Sequence, residues 1–400
     1  MSAATPFRFE FTPGVIRFGT GVCAELADEM ERQGLSKALI VTSPAIADNP
    51  DAIDPVKEGL GDRLAGVYNE ITPRKRLHHS AAAYEMAKDL GADVLIGLGG
   101  GSSLDSCKAI SILSSRDDDA KAAGHDLETK GTIPMGDGQE LPFFALPTTF
   151  AGADISIVAG VSATADSGLV SKDCGGGVGD KRLMPAAIFH DPQLFKTTPM
   201  SILAGSAMNG FNKGLETIYS KNATPITDAT SSRGVKLLCQ GLKSLGDEGA
   251  TESNLETICQ GLILVQYGIG RPGQGTLSLI HAFGHTLRDG FVIQQGLAHA
   301  VITPDALRYL FSKIDGRRDL LADALGVADA DDKPEAIAST IAEMRDGLGL
   351  PSRLRDIEGA DRSILRDIAE ATIEDGFMPN GPEELNATAD DIETLLENAW

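Results

Sequence analysis

No run of about 18 or more apolar residues occurs in this 400-residue chain, so no segment reads as a membrane-spanning helix. The N-terminus, MSAATPFRFEF, lacks a basic region followed by an apolar one. We therefore expect a soluble, unexported, cytoplasmic protein with no membrane partner. The five cysteines, Cys23, Cys107, Cys174, Cys239 and Cys259, are odd in number and without CxxC spacing. They read as reduced thiols in structural roles rather than as a disulfide framework. Basic residues are scarce: 35 Lys and Arg stand against 57 Asp and Glu, a net charge of −22. No basic patch survives such an excess, which excludes nucleic acid and anionic membranes as partners. The acid is spread over the whole chain, from Asp117-Asp118-Asp119 through Asp329–Asp332 to Asp390–Glu397, and forms no local tail. A solvated acidic surface of this kind suggests adaptation to high salt, where self-repulsion is screened. The alternative is an ordinary acidic cytosolic protein.

Length and a hydrophobic content of 42% suit two buried cores. In the first half, the apolar runs Lys37–Thr42, Asp93–Leu98 and Phe143–Pro147 predict strands buried on both faces. Helical stretches near Cys23–Gln33, at His79–Leu90 and from the glycines at 99–101 to about Leu113 separate them. That alternation predicts a parallel α/β sheet. The polar, Gly-rich stretch from Asp117 to Glu140 reads as a surface excursion. From about Pro199 onward the apolar spacing is helical nearly throughout. The expected architecture is a Rossmann-like nucleotide domain over 1–195 followed by an all-α domain over 196–400.

Two segments carry chemistry. Gly99-Gly100-Gly101-Ser102-Ser103 follows a strand and opens a helix. Glycines let a phosphate approach the backbone, the helix start supplies free N–H donors, and Ser102 or Ser103 is placed as N-cap. Neither GxGxxG nor GxxxxGK[ST] is present, and a tight strand-to-helix turn is the plain alternative. Thr148-Thr149 ends a second strand at the same sheet edge, where nucleotides bind in such folds. In the segment from Ile280 to Pro304, His281 and His285 share a helix face and His299 follows, three of the chain's seven histidines. That spacing suits a metal or proton-transfer site, although the HExxH glutamate is missing and Gln294-Gln295 occupies the intervening loop. His78-His79 reads as a solvated helix start, and His125 and His190 as structural or exposed.

The motifs GGGSSLDSCK, PTTFAGADIS, KRLMPAAIFHDPQL, NATPITD and HAFGHTL resemble, in order, those of the iron-containing alcohol dehydrogenase superfamily. The resemblance implies a dehydroquinate synthase-like fold, with an α/β nucleotide domain followed by a helical one. It also implies hydride transfer with NAD(P)H and a homodimer or higher homo-oligomer. Cofactor contacts are expected from Ser43, Gly99, Gly100, Gly101, Ser102, Asp105, Thr148, Thr149 and Lys181. Typical members bind a divalent metal at positions that here carry Asn209, Lys213, His281 and Gln295. Three of the four ligands are replaced, by two amides and an ammonium that are poor donors. We expect no catalytic metal.

Met208-Asn209 and AHAVITPDAL are most similar to the maleylacetate reductase branch. That branch generally keeps histidines where Lys213 and Gln295 stand. The reaction implied is reduction of a small carbonyl compound such as an oxo acid. Lys213 replaces the metal's charge or anchors a substrate carboxylate, His281 donates a proton with His285 one turn away, and Asn209, Gln295 and His299 line the substrate site. Ser43 follows the strand at a position where an acidic residue favours NAD; without it NADP is admitted, yet no arginine adjoins it along the chain. The alternatives are a metal-dependent alcohol dehydrogenase of the same superfamily and a catalytically inactive nucleotide-binding member.

Overall fold

A computed structural model describes residues 7–291 and 293–400. The chain divides into two units, Thr12–Thr198 and Pro199–Trp400, with the described residues up to Phe11 belonging to the second. In the first unit a six-stranded parallel sheet is ordered β1-β8-β5-β4-β2-β3. The strands are β1 (Val15–Phe18), β2 (Ala38–Val41), β3 (Leu64–Tyr68), β4 (Val94–Gly99), β5 (Phe143–Pro147) and β8 (Ala187–His190). Central strands β2, β4, β5 and β8 are buried along their whole length, as their unbroken apolar runs require. Helices α1 (Leu26–Arg32) and α2 (Pro50–Leu60) bring Leu26, Met30, Ile53 and Val56 against Ile40, Ile96, Phe144 and Phe189 on one face.

Helix α3 (Leu77–Leu90) precedes β4 and α4 (Gly101–Ser115) follows it. Residues 117–140, expected as a surface excursion, contain helix α5 (Ala120–Lys130) instead. Asp119 caps it by accepting from Ala122 N–H at 2.9 Å, and Ala123, Gly124 and Leu127 are buried. Its apolar face is built of such small residues that composition concealed it. The hairpin β6 (Val158–Ala163) with β7 (Cys174–Gly179) packs on α4 and α5, and the CGGGVG run of β7 carries no strand pattern. His79 is half-buried beside Tyr68, with Nδ1 at 3.2 Å from the phenol oxygen, rather than a solvated cap. His190 is fully buried, with Nε2 at 2.6 Å from Asp154.

The second unit is helical: α6 (Met200–Tyr219), α7 (Pro225–Glu248), α8 (Glu252–Gln266), α9 (Leu279–Phe291), α10 (Gln295–Lys313), α11 (Arg318–Leu325), α12 (Lys333–Gly347), α13 (Leu365–Glu374) and α14 (Ala389–Ala399). The first unit also holds short helices at Pro44–Ala47 and Pro192–Lys196. Phe9 and Phe11 hold the N-terminal segment to this unit, with ring centroids 6.5 and 5.0 Å from Tyr267. Helix α6 is buried for most of its length and touches α7, α8, α9 and α10. Among the described residues, no helix is long and apolar enough to cross a membrane.

Helices α6 and α10 pack closely at Gly296, where an added Cβ would lie 1.9 Å from the Gly205 carbonyl oxygen. Backbone cannot give way as a flexible side chain can. We expect Gly296→Ala to cost about 2 kcal/mol and to lower the thermal midpoint by roughly 4–8 °C, read by calorimetry. An unchanged midpoint would show that the two helices part without cost.

Candidate active site

In the α/β unit the chain turns from β4 into α4 through Gly99, whose φ of +141° and crowding by Ser103 and Ile46 leave no room for a side chain. The N-cap is Gly100, with no side chain capping the helix. Ser102 and Ser103, expected as cap residues, lie instead within the first turn. The start of α4 therefore keeps free N–H groups, as an anion site requires. Thr148 N–H donates to Gly99 O at 3.1 Å, and Thr149 sits against Gly100. Both threonines thus adjoin the glycine turn. Ser43, half-buried, follows β2 after Thr42, whose Oγ1 donates to Leu98 O at 2.8 Å.

Two expected cofactor residues are placed differently. Asp105 is only 5% exposed; its carboxylate accepts from Lys75 Nζ at 2.6 Å and Gly160 N–H at 3.2 Å. It ties α4 to the β3–α3 loop and to β6. Lys181 is exposed at the start of a turn after β7, with no bond to the glycine turn among the described residues. Sequence reasoning overlooked Lys108, fully buried and donating to Ala153 O and Val158 O at 2.8 and 2.9 Å.

In the helical unit, α6 presents Asn209, Lys213 and Glu216 on one face at i, i+4 and i+7. Glu216 is fully buried. Its Oε1 accepts from the N–H groups of Ser278, Ile280 and His281 at 3.1, 2.7 and 3.2 Å, capping α9 from another helix. Its Oε2 bonds His281 Nδ1, and His281 Nε2 lies 3.1 Å from Asn209 Oδ1. Burial pushes Glu216 up to about 7 despite the three N–H donors, and holds His281 well below the usual imidazole range, helped by the charge of Lys213. Both directions place the shared proton on Glu216, which donates to Nδ1, while Nε2–H donates to Asn209. His281, expected as proton donor, is thus held at both nitrogens.

His285, one turn on, is the accessible member. Its side chain is 32% exposed and Nδ1–H donates to Asp375 Oδ2 at 3.0 Å, leaving Nε2 for proton transfer. Burial works against the Asp375 carboxylate, but His285 and the Phe377 N–H prevail and hold it below the ordinary range. Lys213 is 9% exposed, with Nζ 3.2 Å from Gln266 Oε1. His299 is 0% exposed, and neither ring nitrogen has a hydrogen-bond partner among the described residues. It packs edge-on behind His281 at 4.5 Å, through the gap left by Gly284, and does not line an open site as expected. Gln295, half-buried, begins α10 beside the same gap.

Sequence reasoning missed Glu216 and Asp375. The polar stripe on an otherwise apolar α6 signals the first; Asp375, past the end of α13, leaves no local signal. Among the described residues no group of three or more His, Cys, Asp and Glu is placed to hold a metal ion.

The family description "Iron-containing alcohol dehydrogenase" matches residues 13–192, and that of the C-terminal part of the same family matches 203–400. The chain is 26% identical to lactaldehyde reductase of Escherichia coli (strain K12), covering 96% of this chain and 97% of that protein. It is 25% identical to maleylacetate reductase of Burkholderia cepacia, covering 98% and 97%. The solved structure of sulfoacetaldehyde reductase from Bifidobacterium kashiwanohense in complex with NAD+ superimposes with a TM-score of 0.84 at 22% identity, covering 98% of this chain and 99% of that one.

The shared proton gives a pH signature. Glu216 rises from 4.5 to about 7 on folding while His281 falls from 6.5. Between 4.5 and 6.5 the unfolded chain carries the proton on histidine and the folded pair carries it on glutamate, so the two effects largely cancel. Glu216→Gln leaves only His281, whose lowered value gives stability that is present above 6.5 and lost as pH falls. From about pH 7.5 to 5.5 the variant should lose on the order of 2 kcal/mol relative to the parent, measured by urea unfolding. Parallel pH responses would show that no proton is shared.

Proposed function

The chain belongs to the iron-containing alcohol dehydrogenase family, and on that premise we propose that it is a metal-independent NAD(P)H-dependent reductase of a small oxo acid or related carbonyl compound, similar to maleylacetate reductase. As a family member it is an NAD(P)-dependent oxidoreductase. The family implies iron, and the residues at the metal positions do not fit it. Lys213 offers an ammonium, Asn209 and Gln295 offer neutral amide oxygens, and His281 has both nitrogens engaged. A divalent cation placed there would meet one positive charge and no anionic ligand.

In the proposed reduction a bound nicotinamide cofactor would supply hydride to the carbonyl carbon, and the displaced C=O π pair would come to rest on oxygen. The Lys213 ammonium stabilises that oxyanion, with Asn209 and Gln295 orienting the substrate. His285 delivers the proton from Nε2, and Asp375 steadies the imidazolium. The products are the alcohol and NAD(P)+. The uncapped N–H groups at the start of α4 would hold the cofactor phosphates, with Thr148 and Thr149 adjoining the same turn. The observation that carries this reading is the buried Lys213 ammonium one helical turn from Asn209, with the Glu216–His281 pair on the same face.

Elemental analysis of purified protein, paired with NADPH and NADH oxidation against keto acids and aldehydes with and without EDTA, tests it. We expect metal-free protein and chelator-insensitive turnover. Lys213→Ala should lower kcat by about 10²–10³-fold, without rescue by added zinc or iron. A rise in KM alone, confined to carboxylated substrates, would make Lys213 a carboxylate anchor instead. Stoichiometric metal with EDTA-sensitive activity would sink the metal-independent reading. Failure to bind either nicotinamide would sink the enzyme reading as a whole.

His285 makes a second, separate prediction. Asp375→Asn removes the carboxylate that steadies the imidazolium, and should lower kcat by about 10–100-fold with little change in KM. An unaltered kcat would take His285 out of the proton-transfer role.

A further inference from the structure

Ser43 has no arginine beside it along the chain, but the fold brings a loop that carries one to the end of the same strand. Strand β3 lies next to β2, and Ile71 N–H donates to Thr42 O at 3.1 Å, fixing the β3–α3 loop against the end of β2. The same loop reaches the start of α4, where Ser102 Oγ donates to Pro73 O at 3.5 Å. The loop reads Thr72-Pro73-Arg74-Lys75-Arg76, the most basic stretch of an acidic chain. It is held in one shape. Lys75 adopts a left-handed φ of +53°, its Nζ is 2.6 Å from Asp105, and its carbonyl accepts from Ser162 N–H at 3.1 Å. Such strain persists only where the surroundings over-determine it.

The three basic residues divide the work. Lys75 is spent on Asp105, and Arg76 Nη1 donates to Ser162 Oγ at 3.3 Å. Arg74 is exposed and, among the described residues, has no acidic partner. Most other arginines of the chain are ion-paired, as expected where acids outnumber bases, so an uncompensated one at this place stands out. The end of β2, the Arg74 loop and the glycine turn thus meet at one sheet edge. In folds of this type a carboxylate at the end of β2 binds the ribose hydroxyls of NAD, and a nearby arginine accepts the 2′-phosphate of NADP. Here a serine stands at the end of β2 in place of the carboxylate, and the loop after the neighbouring strand carries an arginine.

We propose that this protein selects NADP(H) over NAD(H), with Arg74 binding the 2′-phosphate on the adenosine ribose and Ser43 donating to it. Arg76 adds longer-range positive charge. In a chain of net charge −22 an additional dianion is repelled unless a local cation meets it. The inference rests on the nicotinamide-cofactor reading above and deepens it.

The test is the ratio of dissociation constants for NADPH and NADH, from calorimetry on the whole chain. The parent should bind NADPH at least tenfold more tightly than NADH. Arg74→Ala should collapse that ratio by about tenfold or more, Arg74→Lys should restore part of it, and Ser43→Asp should invert it through charge repulsion. Tighter binding of NADH by the parent, or a ratio unmoved by Arg74→Ala, overturns the inference while leaving the reductase reading intact. If neither nucleotide binds, both fall together.

Discussion

The helical unit is organised around one buried carboxylate. Glu216 ends three backbone N–H groups at the start of α9 and simultaneously grips the imidazole of the first residue pair on that helix. A fully buried acid without such donors would be strongly unfavourable; with them, it becomes the pin that joins α6 to α9. The position of His281, the packing of His299 behind it and the register of His285 one turn along all follow from that joint. Asn209 and Lys213 share the helix face of Glu216, so the same joint sets where they stand relative to the histidines.

The α/β unit uses a comparable device at its sheet edge. Asp105 and Lys108 on α4 reach outward to Lys75, Gly160, Ala153 and Val158, fastening the loops around the glycine turn to the helix that the turn opens. The free N–H groups of α4 are thus presented by a rigid frame, and no capping side chain competes for them. Preorganised donors of this kind bind an anion without first having to be ordered.

Much of this was legible in the sequence wherever the signal was local. Apolar runs fixed β2, β4 and β5, the triple glycine marked the turn, and i, i+4 spacing put His281 and His285 on one face. What escaped notice depended on distant partners or on weak side chains. Helix α5 buries alanine, glycine and a single leucine; β7 is mostly glycine; both read as loop. Asp105 looked like a cofactor ligand because it lies in a phosphate-loop motif, yet its carboxylate is consumed by Lys75 from another loop. His299 looked like a pocket residue until Gly284 let α10 approach closely enough to bury it. Arg74 was invisible beside Ser43 because strand adjacency, not chain adjacency, brings their segments together.

The β3–α3 loop separates the residue that reads from the residues that hold. Lys75, Ser162 and Asp105 keep the loop's shape; Arg74 joins them only through its carbonyl, which accepts from Ser162 Oγ, while its side chain takes no part. Natural variation at position 74 is therefore free of the usual penalty that comes with altering a scaffold. A lineage could exchange one redox carrier for another, drawing on a different cellular pool of reducing equivalents, through one or two surface codons and without any intermediate that folds poorly.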